Sequence, residues 1–177
     1  MSLLHAVAIG SSVVISTIFT AIALFTDGWL FVEGVCYGDY CTGDIGLGLT
    51  PYPGGEYMET QLPDWLLATC WLMYFTFAID FICLIVTAAY VFSVFNGSVK
   101  MEKMVLLLTS GVTAVTALLG LIAFVVFEAG YGGLDGLIKE YVKLGFSSFM
   151  QLVAFLFAII ACAISIFRVC VVEDQEY

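Results

Sequence analysis

The chain has 177 residues, 62% of them hydrophobic and 11% charged, with a mean hydropathy of +1.08 and a formal net charge of −10. A soluble domain is about 45–50% apolar and about 25% charged, so a soluble globular fold is excluded. The acidic balance also excludes the basic surface a nucleic-acid partner needs.

The apolar residues are gathered into four blocks, residues 3–25, 65–95, 104–127 and 144–167. Each exceeds the roughly 20 residues that cross a bilayer. They predict an all-α membrane protein: a four-helix transmembrane bundle forming one domain over residues 1–177, with a small extracellular antiparallel β-sheet. An even number of crossings puts both termini on one side. The first block is preceded by no basic region or small-residue cleavage site, so it is expected to remain as the first helix. The polar remainder is loop one (26–64), a link (96–103), loop two (128–143) and a tail (168–177). Lys100, Lys103 and Arg168 fall in the link and tail, against Lys139 and Lys143 in the larger loops. This excess, with Cys36 and Cys41 in loop one, predicts cytoplasmic termini and an oxidised outer face at the plasma membrane. The sequon Asn96-Gly97-Ser98 would then be silent.

In the first helix Ala8, Ser12, Ser16 and Thr20 recur every four residues, which suits a packing seam. His5 reads as a snorkelling residue at the helix end. Trp29 and Phe31 suit the membrane interface. Residues 29–37 read as a strand, Gly38-Asp39 as a turn and 40–42 as the returning strand. Ile45, Leu47 and Leu49 alternate with other residues in a second strand-like pattern. Pro51, Pro53, Gly54 and Gly55 break regular structure, and Asp64 is placed as the N-cap of the second helix.

Asp80 is the only charged residue inside the four blocks. An intramembrane carboxylate marks a site by default. With no basic residue or second acid at its depth, the expected role is structural: protonated or hydroxyl-bonded, facing the Ser/Thr stripe of the first helix. In the third helix Ser110, Thr113, Ala117 and Gly120 share one face, and Leu108, Val115, Leu119, Ile122 and Val126 lie opposite. In the fourth, Ala154, Ala158, Ala161, Cys162 and Ser165 oppose Phe149, Leu156, Ile160 and Phe167. The small faces are expected inside the bundle, and the bulky faces against lipid or another membrane protein. In loop two, Gly130-Tyr131-Gly132-Gly133 reads as a turn. Leu134, Leu137, Ile138 and Tyr141 then have helical spacing. Cys170 lies beside the membrane, where palmitoylation or a free thiol are both open.

No phosphate loop, dinucleotide fingerprint, zinc spacing or Ser/His/Asp set is present, and no cofactor or enzymatic activity is expected. Membrane thiol oxidoreductases with four helices are the enzyme class to weigh. Their Cys-x-x-Cys differs from Cys36 and Cys41, which have four residues between them, and loop two has no cysteine. A structural disulfide between Cys36 and Cys41 is the expectation, adding about 2 kcal/mol.

Thr26-Asp27-x-Trp29-Leu30-x-x-x-Gly34-Val35-Cys36 resembles the segment after the first helix in the stargazin-like family, the transmembrane AMPA-receptor regulatory proteins and voltage-gated calcium-channel gamma subunits. Leu108-Thr109-Ser110-Gly111, Leu118-Leu119-Gly120 and Glu128-Ala129-Gly130 are similar to that family's third helix, and Leu144-Gly145-Phe146-Ser147 to the start of its fourth. The wider claudin-like superfamily carries a Gly-Leu-Trp motif that this chain lacks. The tail ends in Glu-Tyr, where many stargazin-like proteins carry a small-apolar PDZ ligand. The resemblance implies a non-enzymatic auxiliary subunit that associates laterally with an ion channel or ionotropic glutamate receptor and modulates its gating or trafficking. The implied partners are membrane lipids and pore-forming subunits, at a synapse or cell junction. The alternative is a claudin-like adhesion or paracellular barrier protein that associates with itself. Loops one and two carry ten acids and two lysines, a net of −8. Of these, Glu33, Asp39, Asp44, Glu56 and Glu59 are the candidate extracellular partner surface. Val115, Leu119, Ile122, Val126, Phe149, Leu156 and Ile160 are the candidate lateral face.

Overall fold

A computed structural model describes residues 2–34, 36–37, 40–41, 45–49, 63–96 and 99–173. The main body is four long helices: α1 (Ser2–Phe25), α2 (Asp64–Phe95), α3 (Val99–Gly132) and α5 (Phe146–Glu173). All four are long and apolar enough to cross a membrane. Such segments become helices because lipid offers no partner for backbone N–H and C=O groups, and a helix satisfies them internally. They pack as a ring in which α1 and α3 each touch both α2 and α5.

α3 outruns its apolar block at both ends, and α5 at its C-terminal end. α3 has 34 residues, about 51 Å at 1.5 Å per residue, and α2 has 32. Most of the expected link is helical, leaving the α2–α3 connection near Asn96, whose N–H donates to Phe92 O at 3.1 Å. At the other end of α3, Gly130 and Gly132 are helical and the turn falls at Gly133. The glycine at position 130 is there for packing: a Cβ would run into the Trp65 ring of α2. α5 starts two residues later than the fourth block and continues as far as Glu173, into the expected tail. Asp64 is not the cap of α2. Pro63 takes that position (φ −58°, ψ 142°), its carbonyl accepts from Leu66 and Leu67, and Asp64 is the first helical residue. There its charge complements the positive end of the helix dipole.

A three-stranded antiparallel sheet closes one end of the bundle, in the order β4 (Ile45–Leu47), β1 (Leu30–Val32), β5 (Val142–Leu144). Leu30 sits opposite Leu47 on one side and Leu144 on the other. The strand expected over 29–37 is two pieces: β1 stays on this sheet, while β2 (Cys36–Tyr37) pairs with β3 (Tyr40–Cys41) in a separate ribbon. β5 lies in loop two, so both loops build one head. Between β5 and the preceding turn is the short α4 (Gly136–Tyr141).

The core divides along the bundle axis. Near the sheet it consists of Ala23, Leu24, Trp29, Leu30, Leu49, Leu66, Met73, Ala123 and Phe127. Near the α2–α3 link it consists of Ala6, Ile9, Val13, Cys83, Tyr90, Val105, Leu106 and Ala161. Between them lies a buried polar layer with Ser16, Thr20, Asp80, Thr113, Thr116 and Gln151.

Candidate functional site

The motif after α1 assembles into the joint between bundle and head. Trp29 is fully buried, so it belongs to the core and not to the membrane interface where its type first places it. Its indole N–H donates to Ala23 O, capping an otherwise open carbonyl in the last turn of α1. The ring meets Phe127 edge-on at 4.7 Å, and Phe127 meets Trp65 at 5.7 Å, so α2, α3 and the segment joining α1 to the sheet share one aromatic stack. Trp29 N–H donates to Leu47 O at 3.1 Å and Gly145 N–H donates to Trp29 O at 2.9 Å, tying loop one to both neighbouring strands. Thr26 Oγ1 and Ser147 Oγ are 2.7 Å apart, joining the end of α1 to the start of α5. Asp27 packs against Gly48, where a Cβ would sit 2.9 Å from Asp Oδ1. Leu30 is buried. Gly34 follows β1, Val35 lies outside the described residues, and only the backbone of Cys36 is described.

That backbone pairs directly with Cys41. The other four cysteines, Cys70, Cys83, Cys162 and Cys170, are free thiols. Cys70 Sγ donates to Leu49 O at 2.8 Å and so helps seat loop one on α2.

Of the expected acidic surface, Glu33 is an ion pair with Lys143 of β5, and its N–H donates to Tyr141 O at 2.8 Å. It links the two loops. Asp39, Asp44, Glu56 and Glu59 lie outside the described residues.

On the candidate lateral face, Val115, Ile122, Phe149, Leu156 and Ile160 are exposed, while Leu119 and Val126 are half-buried. The opposite small faces point inward: Thr113, Ala117, Ala154, Ala158, Ala161 and Ser165 are buried. Exposure does not single out the wall made by α3 and α5, because Val14, Ile18, Phe75, Phe81 and Ile85 of α1 and α2 are exposed too. This continuous apolar belt is what lipid requires. His5 is half-buried at the end of α1 and stacks on Phe167 of α5 at 6.5 Å.

The polar layer draws on all four long helices. Ser16 Oγ of α1 donates to Ala154 O of α5 at 2.9 Å, so the small-residue stripe of α1 is a seam with a cross-helix bond. Thr17, Thr76 and Thr113 turn back on carbonyls of their own helices. Asp80 faces Thr20 of α1 and Thr116 of α3. Gln151 of α5 was not singled out by the sequence reading. The signal was there: it is the only amide side chain inside the four apolar blocks.

Among the described residues no cluster of three His, Cys, Asp or Glu side chains is placed to hold a metal. Residues 1–169 match the model of a family described as tight junction protein, claudin-like. No curated protein matches at a significant level.

Proposed function

As the chain belongs to the claudin-like family of multi-pass membrane proteins, we propose that it is a non-enzymatic auxiliary subunit that associates side by side with the pore-forming subunits of an ion channel or receptor. The observation that carries this reading is the charge of the head. With termini in the cytoplasm, the two outer loops present a net of −8. Two identical heads meeting across an intercellular gap would bring like charges together, which costs several kcal/mol unless screened or bridged. A basic or cationic partner surface is attracted instead. The likeness of Thr26–Cys36 to the stargazin-like segment points the same way.

An auxiliary subunit shifts gating only by binding open and closed states with different free energies. The bundle supplies lateral apolar area through Leu119, Ile122, Leu156 and Ile160. The head is tied to the bundle through Trp29 and the Thr26–Ser147 contact, and Glu33 belongs to it. A second reading, a self-associating junction or barrier protein, is favoured by the family's description.

Purification in mild detergent separates the two. Stoichiometric pore-forming subunits in the eluate support the auxiliary reading, whereas homotypic strands at cell contacts with no channel subunit bound overturn it. Alanine at Leu119, Ile122, Leu156 and Ile160 is expected to weaken assembly. Neutralising Asp39 and Asp44 is expected to leave assembly intact and change gating kinetics. Glycosylation at Asn96 in cells would invert the orientation and remove the charge argument.

A further inference from the structure

The polar layer contains one carboxylate, and one of its two oxygens has no donor among the described residues. Asp80 is 1% exposed, and Oδ2 has no hydrogen-bond partner among the described protein groups. The Thr116 hydroxyl lies beside the carboxyl without closing a bond of normal geometry, and Gln151 Oε1 is likewise buried with no donor. Gln151 reaches this level from α5: a Cβ at Gly120, one turn beyond Thr116, would lie 2.7 Å from Gln151 Nε2 and 4.0 Å from Thr76, one turn before Asp80. Polar groups from α1, α2, α3 and α5 thus share one layer about a helical turn deep, with Gln151 on its sheet side. Carboxylate and carboxamide oxygens only accept, so acceptors brought together in this way need a positive charge or a donated proton between them.

We propose that this layer binds one sodium ion, with the Asp80 carboxylate, the Thr20 and Thr116 hydroxyls and the Gln151 carboxamide oxygen as its protein ligands. The donor set is all oxygen, which suits a hard cation and not a transition metal. Cys83, the other titratable group placed against Asp80, offers only a soft sulfur. No Lys or Arg lies in the four apolar blocks to act as counter-ion. Valence follows from charge: a monovalent cation leaves the layer neutral, whereas a divalent one leaves an uncompensated charge in a low-dielectric interior. Size follows from packing: Thr20, Asp80, Thr116 and Gln151 are each at most 4% exposed, and a close-packed interior leaves less room for the larger alkali ion. An ion held there ties the four helices together at the waist, so folding stability becomes sodium-dependent.

The test is thermal unfolding of the purified full-length protein in neutral detergent, in sodium, potassium or choline chloride at equal ionic strength. Sodium is expected to raise Tm saturably, by about 3–6 °C at tenfold above half-saturation, with potassium weaker and choline inert. Asp80→Asn removes the charge while keeping the shape, and should fold and lose the sodium response. Thr116→Val should raise the half-saturating sodium concentration about tenfold, the loss of one oxygen ligand. A wild-type Tm that is equal in the three salts overturns the proposal and leaves a proton on Asp80 as its neutralising partner. A sodium response that persists in Asp80→Asn also overturns it, since salt then acts elsewhere. If Asp80→Asn fails to fold, sodium-23 NMR relaxation on the wild type reads occupancy directly: saturable broadening, unaffected by choline, supports the site, and its absence rejects it.

Discussion

Next to the sheet, the core is built from large rings and directed hydrogen bonds: Trp29, Phe127 and Trp65 stack, and the indole is fixed to Ala23 O. Next to the α2–α3 link it is built from Ala6, Ile9, Val13, Cys83, Tyr90, Val105, Leu106 and Ala161, where Tyr90 is the single ring and the rest are aliphatic or small. The difference follows from what each half holds. The sheet end seats irregular backbone from two loops on the helix ends, and that needs partners of defined position for its N–H and C=O groups. The link end joins only helices, whose backbone groups are already satisfied, so close approach through small residues is enough. The two halves are therefore expected to fail in opposite ways: the sheet end when a large group is removed, the link end when one is added.

Trp29→Ala is the largest test of that contrast. It removes a fully buried ring, leaves Ala23 O without its donor and opens a cavity beside Phe127. A loss of about 3–5 kcal/mol is expected, read as a fall in Tm in detergent and as new protease sensitivity of the head. Ala161→Leu is the converse at the link end. Added bulk at a fully buried helix crossing should cost about 1–3 kcal/mol, with the head still resistant to protease. If Ala161→Leu loosens the head as much as Trp29→Ala does, the two halves unfold as one unit and the contrast has no energetic meaning.

These two residues also show what the sequence made legible. Four apolar blocks give the four helices because lipid leaves an apolar chain few alternatives. The inward small faces of α3 and α5 follow from helical period alone. Trp29 was misplaced because an aromatic residue a few positions beyond an apolar block looks alike whether it lies at the lipid interface or folds back under a sheet. The fold-back depends on β5 and on Gly145 just after it, whose N–H donates to Trp29 O from 116 positions along the chain. Val142–Leu144 is too short to announce itself as a strand, and its pairing is decided wholly by tertiary contact. Gly130 and Gly132 suggested a turn because glycine breaks helices in water; here Gly130 makes room for Trp65. Gln151 was readable by its rarity, but its place beside Thr76 and Gly120 required the helix rotations.

The Cys36–Cys41 ribbon offers a smaller test, outside both halves of the core. Its backbone register sets the two cysteines directly opposite each other. A disulfide there should contribute about 2 kcal/mol, confined to the ribbon, so Cys36→Ser should leave the global Tm nearly unchanged while altering local hydrogen exchange. Peptide mapping without reduction should find the two residues linked. A free Cys36 would instead reopen the thiol-exchange chemistry considered for the outer loop.

The smallest expected effect is at the rim of the head, where Glu33 pairs with Lys143 across β1 and β5. Both side chains are largely solvent-exposed, at 45% and 65%, so the attraction is screened and the pair should contribute no more than about 1 kcal/mol. Glu33→Gln should therefore lower stability slightly at low salt and not measurably at 0.5 M or above, where the screening length is only about 4 Å. Its backbone bond to Tyr141 O does not depend on the side chain and should hold the strand edge in place. A loss comparable to that of Trp29→Ala would show that the two loops are joined chiefly by this ion pair. The aromatic stack beneath them would then be filling the sheet end without fixing it, and the contrast between the two halves of the core would have to be redrawn around charge.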